Sequence, residues 1–247
     1  ACFTGREKEL TDLRATLTAH GKAALQGMPG VGKTQLALKY AERHRQDYAA
    51  CLWVSAASRE TLLSGFATLA GVLDLPERNE ADQAKAVAAV QRWLNTTEQP
   101  WLLILDNADE LELLHDFLPS GRGHCLLTTR AKDVHALATA ERVKIMEPAD
   151  GALLLLRRVG RLRPDQPLDD APANDRDQAT TLAKELGGLP LALDQAGAFV
   201  EEAGVSLAEY RDLYRQRGQK LRTERGQYPL AHHSVTVTFT LAFEQVA

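Results

Sequence analysis

The sequence carries the octapeptide GMPGVGKT at residues 27–34, which has the form GxxxxGK[ST]. A short apolar run at 23–25 precedes it, and a helical pattern of apolar residues at 36–40 follows it. A loop between a strand and a helix directs several backbone N–H groups and the positive end of the helix dipole at one point. In that context Lys33 can reach the β- and γ-phosphates of a nucleotide, and the Thr34 hydroxyl can ligate Mg²⁺. The motif therefore predicts a nucleoside triphosphate site rather than a chance glycine-rich turn.

Composition and charge narrow the classes of protein to which this chain can belong. Its 247 residues are 45% hydrophobic and 25% charged, which is typical of a globular protein with a sizeable core. The formal net charge of −4 gives no electrostatic reason to expect nucleic-acid or membrane binding. The longest apolar runs, at 101–105 and 152–156, are too short to span a bilayer. We therefore expect neither a membrane nor a nucleic acid among its partners.

The cysteines indicate a reducing compartment. Cys2, Cys51 and Cys125 are odd in number and widely spaced, with neither metal-ligand spacing nor a disulfide framework. We therefore expect a cytoplasmic location. The chain begins at Ala1 rather than Met and ends at Ala247 within an unfinished apolar pattern, which predicts a fragment of a longer protein.

Strand and helix patterns alternate over residues 1–147. The first helix is expected to begin at a capping box formed by Thr4 and Glu7 and to end at Gly21. Further helices are expected at 58–73, with Ser58 as the starting residue, and at 81–94. Strands are expected at 50–54, 101–106, 124–130 and 142–146. This order predicts an α/β fold, a doubly wound parallel sheet with helices on both faces and its ligand at the carboxyl ends of the strands.

After Pro148 the strand signals disappear and helices dominate. The predicted helices are 152–159, 177–186, 190–203 and 206–217, and Ser206 with Glu209 has the spacing of a capping box. This shift predicts a small all-helical subdomain after a nucleotide-binding domain at 1–147. Residues 234–243 alternate apolar and polar side chains, so periodicity alone predicts a strand there.

Three acids and an amide at the end of the predicted strand 101–106 and directly after it are candidates for metal binding and hydrolysis. Asp106 closes the strand and is expected to lie near the Mg²⁺ that Thr34 holds, in the Walker B role. Asn107 stands where hydrolysing proteins of this arrangement often carry a second acid, and an amide cannot accept a proton. Asp109 or Glu110 is the alternative acid that could activate the attacking water, from a different position along the chain. We therefore expect hydrolysis to be slow rather than absent.

Two arginines are candidates for contact with phosphate. Arg130 ends the predicted strand 124–130, where a guanidinium can contact a γ-phosphate; an ordinary exposed arginine is the alternative. Arg6 lies in the first turn of the first helix, where a cation opposes the helix dipole, which favours a role toward an anionic ligand. The basic stretch 215–225 is interpreted as a solvated helix face, because no aromatic side chain is available to stack on bases.

Six segments together resemble one family. They are FTGRE at 3–7, GMPGVGKT at 27–34, WLLILDNAD at 101–109, CLLTTR at 125–130, GLPLAL at 188–193 and HSVTVTFTLAFE at 233–244. In this order the chain resembles the NB-ARC branch of the STAND nucleotide-switch ATPases, which includes apoptosome proteins, plant resistance proteins, and bacterial or nephrocystin-like proteins with repeat domains.

The resemblance implies a set of site residues. Asp106 would be the Walker B acid, Arg130 the sensor arginine, and Pro190 would pack on the adenine. Thr34 and Asp106 would hold the metal, and Lys33, Asp106, Arg130 and Asp109 are the candidate catalytic residues. The implied nucleotide-binding residues are Phe3, Thr4, Arg6, Met28, Pro29, Gly30, Val31, Gly32, Lys33, Thr34, Gln35 and Pro190.

The resemblance also implies a function and a domain order. A P-loop domain at 1–147 and a helical subdomain at 148–228 would hold ADP or ATP with Mg²⁺, and residues 229–247 would begin a winged-helix subdomain, helical against the strand prediction. Exchange of ADP for ATP would open the protein for self-association, and sensor repeats beyond this chain would bind a protein ligand. The alternatives are a P-loop ATPase that turns over rapidly and a DNA-binding regulator of the same superfamily.

Overall fold

A computed structural model describes residues 3–79, 82–225 and 235–238. The chain forms two compact units. We call the first, made of residues 6–29 and 33–143, the α/β unit. The second, the helical unit, contains residues 3–5, residues 30–32 from the phosphate-binding loop, and the described residues from 144 onward.

The α/β unit contains a parallel sheet of five strands in the order β2-β3-β4-β1-β5, which confirms the predicted fold class. Strand β1 lies between β4 and β5, and β3 lies on the other side of β4. The elements in chain order are α1 Glu7–His20, β1 Lys22–Gln26, α2 Lys33–Arg43, β2 Ala50–Ser55, α3 Arg59–Val72, α4 Gln83–Thr96, β3 Trp101–Asp106, β4 His124–Thr129 and β5 Thr139–Arg142.

Strand β3 shows why the sheet is stable. All of its residues, Trp101–Asp106, are buried. Successive side chains of a strand point to opposite faces, so both faces of the sheet are covered at this position. Phe66 of α3 and Phe117 pack against each other in the same core, with their ring centroids 5.2 Å apart.

The predicted start of α3 at Ser58 is confirmed. The Ser58 hydroxyl accepts from the backbone N–H of Thr61 at 3.3 Å, and the Thr61 hydroxyl accepts from the backbone N–H of Ser58 at 3.0 Å. This reciprocal pair satisfies two backbone donors that a helix start would otherwise leave free.

The predicted capping box of α1 is wrong. The helix begins at Glu7, and the residue before it, Arg6, has a φ of 65° and makes no side-chain cap. Gly5 also has a positive φ, 68°, and the N-cap position of the helix is occupied by Arg6 rather than by Thr4. Within the helical unit the Thr4 hydroxyl instead accepts from Nη1 of Arg157 at 3.3 Å.

The strand predicted at 142–146 is also wrong beyond Arg142. Strand β5 pairs with β1 from Ala23 to Gln26, and Val143 donates one last backbone hydrogen bond to Gln26 at 2.8 Å. Strand β1 ends there because the phosphate-binding loop begins, so the next residues have no strand to pair with. An apolar pattern does not contain this information, since it reports burial rather than pairing.

The helical unit contains α5 Pro148–Arg158, α6 Ala173–Glu185, α7 Pro190–Ala203 and α8 Leu207–Arg225. Its core is built from side chains that are fully buried, among them Leu155, Leu182, Leu193 and Tyr210. The predicted capping box before α8 is confirmed. The Glu209 carboxylate accepts from the Ser206 backbone N–H at 2.7 Å, and the Glu209 backbone N–H donates to the Ser206 hydroxyl at 3.2 Å.

Residues 235–238 are helical, and Val237 is buried in the core of the helical unit. The strand predicted from alternation is therefore not formed at these positions. The rest of the predicted segment 229–247 lies outside the described residues. Across the described part of the chain, no helix combines the length and apolarity needed to cross a bilayer.

Two glycines connect α6 to α7. Gly187 and Gly188 have φ values of 70° and 63°, in the left-handed region that favours glycine. Met146 donates its backbone N–H to the Gly188 carbonyl at 2.8 Å, and a Cβ atom placed on Gly188 would lie 2.4 Å from the Met146 carbonyl oxygen. A Cβ atom on Gly187 would meet no atom within 4 Å.

This contrast predicts different costs for two neighbouring substitutions. Gly187→Ala should lower the free energy of unfolding by about 1–2 kcal/mol, the cost of a left-handed alanine. Gly188→Ala should lower it by roughly a further 1–3 kcal/mol, because the new methyl group also collides with the Met146 backbone. Urea unfolding followed by far-ultraviolet circular dichroism measures both. Equal losses for the two variants would show that the close approach at Gly188 is unimportant.

Candidate nucleotide site

The phosphate-binding loop connects β1 to α2. The Gly27 backbone N–H donates to the Thr129 carbonyl at 3.2 Å, which ties the start of the loop to the end of β4. Gly30 and Gly32 have φ values of 76° and 95°, which L-residues with a side chain rarely adopt. The backbone path of the loop therefore favours glycine at two of the three glycine positions of the octapeptide, Gly30 and Gly32.

The Lys33 side chain folds back into this loop. Its Nζ donates to the Gly27 carbonyl at 2.8 Å and to the Met28 carbonyl at 3.1 Å. Burial lowers the pKa of Lys33, and the positive charge of Arg130 acts in the same direction against the opposing carboxylates of Asp109 and Asp106. A partly desolvated ammonium held by two carbonyls is well suited to bind phosphate oxygens.

A cluster of three oxygen-bearing side chains lies beside the loop. Both the Thr34 and the Thr128 hydroxyl donate to Oδ1 of Asp106, at 2.9 and 2.5 Å, and Asp106 is only 8% exposed. A hydroxyl and a carboxylate at this separation are hard ligands of the kind that Mg²⁺ prefers, so the residues fit that ion. Within the described residues, no group of three or more His, Cys, Asp or Glu side chains could hold a metal.

Thr128 was not among the predicted site residues. The sequence did contain a signal, because two threonines follow the apolar run 125–127 at the end of this strand. Register explains its position: Thr128 pairs with Leu25 of β1, and β4 lies next to β3, which carries Asp106. The Thr128 hydroxyl also accepts from the backbone N–H of Asn107 at 3.0 Å.

The conformation of Asn107 gives a structural reason for an amide at this position. Its φ is 60°, and asparagine is among the few residues with a side chain that occupy the left-handed region readily. The side chain is exposed. The turn continues with the Ala108 backbone N–H donating to the Thr128 carbonyl at 2.8 Å.

Asp109 and Arg130 bind each other. The Arg130 backbone N–H donates to Oδ1 of Asp109 at 2.6 Å, its Nε donates to Oδ2 at 2.7 Å, and its Nη2 lies 2.6 Å from Oδ2. Sequence reasoning assigned these side chains to different tasks, one to a γ-phosphate and the other to a possible base. It did not predict that they would bind each other.

The pairing changes the acidity of Asp109. Burial raises the pKa of this carboxyl, but the hydrogen bonds and positive charge from Arg130, with a further bond from the Thr129 hydroxyl, outweigh burial and lower the pKa below its ordinary value. A carboxylate with a lowered pKa is a weak general base at neutral pH.

The remaining predicted site residues are in varied environments. Arg6, in the α/β unit, is buried, with Nη1 at 3.5 Å from Oε1 of Glu9. In the helical unit Phe3 is half-buried and Thr4 is buried. Pro190 opens α7 in that unit and lies 3.7 Å from a Cβ atom placed on Gly32.

The loop residues differ in exposure. Val31 is buried, Pro29 is half-buried, and Met28 and Gln35 are exposed. Leu191, which sequence reasoning missed, donates its backbone N–H to the Gly30 carbonyl at 3.2 Å within the helical unit. The sequence feature that could have identified Leu191 is its position directly after Pro190 in GLPLAL.

The Asp109–Arg130 pair predicts a measurable titration. In the unaltered chain the Asp109 carboxyl should titrate below its ordinary pKa. Arg130→Ala should raise that pKa, because burial still raises it and the hydrogen bonds and positive charge of Arg130 no longer lower it. Carbon-13 NMR of aspartate-labelled protein measures both values. Arg59→Ala, which removes an exposed pair with Asp116, should leave the Asp109 titration unchanged. An unmoved pKa in Arg130→Ala would mean that the pair does not persist in solution.

Two relatives match most of this chain. It is 29% identical over 241 residues to a nucleotide-binding leucine-rich repeat (NLR)-like protein of Hyaloscypha variabilis, covering 86% of this chain and 23% of that protein. It is 30% identical over 207 residues to the regulatory protein AfsR of Streptomyces griseus, covering 77% of this chain and 20% of that protein. The chain thus spans between a fifth and a quarter of the length of these curated relatives.

A solved structure and a family profile agree with the fold. The Walker-type ATPase PABY2304 of Pyrococcus abyssi superposes with a TM-score of 0.55 at 14% identity, over 90% of this chain and 77% of that one, which shows a shared fold. The model of the NB-ARC domain matches residues 6–163. Together with the phosphate-binding loop and the Thr34–Asp106 contact, this match establishes that the chain belongs to the NB-ARC domain family and is a nucleotide-binding protein with a P-loop ATPase fold.

Proposed function

We propose that this chain is the ADP/ATP-binding switch of a signal-transducing STAND ATPase. One observation carries the proposal: the Lys33 ammonium is held inside the phosphate-binding loop, and the adjacent residue, Thr34, is hydrogen-bonded to Asp106. A phosphate-binding cation and a pair of metal-binding oxygens are therefore provided side by side. A nucleoside polyphosphate with Mg²⁺ is the ligand that uses both.

Specific residues would hold each part of this ligand. The loop residues, with Lys33, would hold the phosphates, and Thr34 and Asp106 would hold Mg²⁺, which neutralises phosphate charge when bound. Arg130 would contact the terminal phosphate of ATP. Adenine is the proposed base, since the structure with a shared fold is that of an ATPase. Phe3, Thr4 and Arg6 are the proposed residues near the base and phosphates, and Pro190 is proposed to pack on the adenine.

The side chains that follow β3 favour slow hydrolysis. Asn107 cannot accept a proton from an attacking water. Asp109 is engaged by Arg130 and has a lowered pKa, so it is a weak base for the same task. A site that binds a nucleotide firmly and hydrolyses it slowly retains each nucleotide state for long times, as a switch requires.

The relatives support a signalling role. One is described as an NLR-like protein and the other as a regulatory protein. For the whole protein we propose a cytoplasmic location, self-association in the ATP state, and a protein ligand bound by segments outside this chain. A rapidly turning-over ATPase is the competing function, and a rate above about one per second would favour it.

Lys33→Ala tests the nucleotide site. The unaltered chain is expected to carry ADP through purification, identified by chromatography after acid extraction. The variant should lose the nucleotide and bind added ADP at least about 30-fold more weakly, because removing one partner of a buried charge contact costs roughly 2–5 kcal/mol.

Lys39→Ala is the matched control. Lys39 belongs to the same helix, α2, but pairs with Glu42 at 3.0 Å at the protein surface, so its removal should leave nucleotide binding unchanged. If Lys33→Ala still co-purifies with nucleotide, the assignment of the site is wrong. An empty site in the unaltered chain, together with rapid turnover of added ATP, would favour the enzyme over the switch.

A further inference from the structure

The ion pair between Asp109 and Arg130 joins the ends of two neighbouring strands. Asp109 follows β3 by three residues, and Arg130 directly follows β4. The carboxylate receives the backbone N–H, Nε and Nη2 of the same arginine, all within 2.7 Å. A guanidinium bound through two of its nitrogens is held in a defined orientation rather than by charge alone.

The backbone places Asp109 firmly. Asn107 adopts a left-handed conformation, which turns the chain immediately after β3. Ala108 is fully buried, and its N–H donates to the Thr128 carbonyl at 2.8 Å; the Asp109 N–H donates to the Asn107 carbonyl at 2.9 Å. The first of these bonds attaches the turn to β4, and the second lies within the turn. The carboxylate therefore has a fixed position relative to the first residue after that strand.

The arginine, in contrast, is largely exposed. The Arg130 side chain is 60% exposed, whereas that of Asp109 is 26% exposed. Because most of the Arg130 side chain faces solvent, little packing opposes a rotation of its guanidinium away from Asp109. The Gly27 backbone N–H, at the start of the phosphate-binding loop, donates to the carbonyl of Thr129, the residue before Arg130, so the pair lies at the same edge of the sheet as that loop.

These observations lead to a specificity-determining role for an aspartate. We propose that Asp109 holds the Arg130 guanidinium in competition with the terminal phosphate of ATP, and so lowers the preference of this chain for ATP over ADP. The inference rests on the proposed function, in which Arg130 contacts that phosphate. A triphosphate must draw the arginine away from Asp109, whereas a diphosphate leaves the pair intact. Asp109 thus acts through Arg130, as a positioning residue.

The test compares affinities for ADP and for a non-hydrolysable ATP analogue, both with Mg²⁺, by isothermal titration calorimetry. Asp109→Asn keeps the size of the side chain and removes its charge. It should shift the ratio of the two affinities toward the triphosphate by about tenfold, within the range usual for coupled sites. Asp109→Ser is a second variant, in case the amide forms a new bond to Arg130. Thermal unfolding of each variant verifies the fold.

A double variant separates this mechanism from simple charge repulsion. In the Arg130→Ala background, Asp109→Asn should leave the affinity ratio unchanged, because the group that Asp109 controls is absent. Asp116→Asn is the control in the unaltered background. It removes a carboxylate from the exposed pair with Arg59, 3.2 Å apart, and should leave the ratio unchanged.

Each outcome decides the question. A ratio in both Asp109 variants within twofold of that of the unaltered chain overturns the inference, and so does an equal loss of both affinities. A shift that persists without Arg130 shows that Asp109 acts by its own charge, which also overturns it. If the unaltered chain binds neither nucleotide, the proposed function fails and this inference with it. Nucleotide binding that depends on Lys33 but not on Asp109 leaves the proposed function standing.

Discussion

The parallel pairing of β1 with β4 is the constraint on which the candidate site depends. Leu25 is in register with Thr128, Gln26 is in register with Thr129, and the Gly27 N–H donates to the Thr129 carbonyl as the phosphate-binding loop begins. Because the strands are parallel, the loop and the end of β4 emerge at the same edge of the sheet. A shift of one residue would reverse which face each of these side chains occupies.

Strand β3 extends the same edge. It pairs with β4 through Leu105 and Leu127, so that Asp106 ends beside Thr128 and its carboxylate receives two hydroxyl hydrogen bonds. These bonds give hydrogen-bond partners to a buried polar side chain, whose burial would otherwise cost free energy. The same two hydroxyl groups fix the position of the Asp106 side chain beside the phosphate-binding loop.

Local patterns predicted many elements well and pairings poorly. The start of α3 at Ser58, the bounds of α7 and the buried strand β3 each depend on a few adjacent residues, and all agree with the structure. The capping box at Thr4 and the strand at 142–146 failed for two other reasons. Left-handed backbone at Gly5 and Arg6 puts Arg6 at the start of α1, and the Thr4 hydroxyl binds Arg157 instead. At 142–146 the outcome depended on a distant partner, because the end of β1 leaves the residues after Val143 without a strand.

The sequence by itself determined the phosphate-binding loop, the acid that ends β3 and the alternation of strands and helices, because glycine conformation, apolar burial and chain periodicity are local properties. Only the tertiary structure decided which side chains contact each other at the edge of the sheet. Asp109 and Arg130 are separated in sequence by most of the connection from β3 to β4 and by β4 itself, and their contact exists because strand register brings the ends of the two strands together. For the same reason Thr128, a polar residue near the end of β4, became a partner of Asp106.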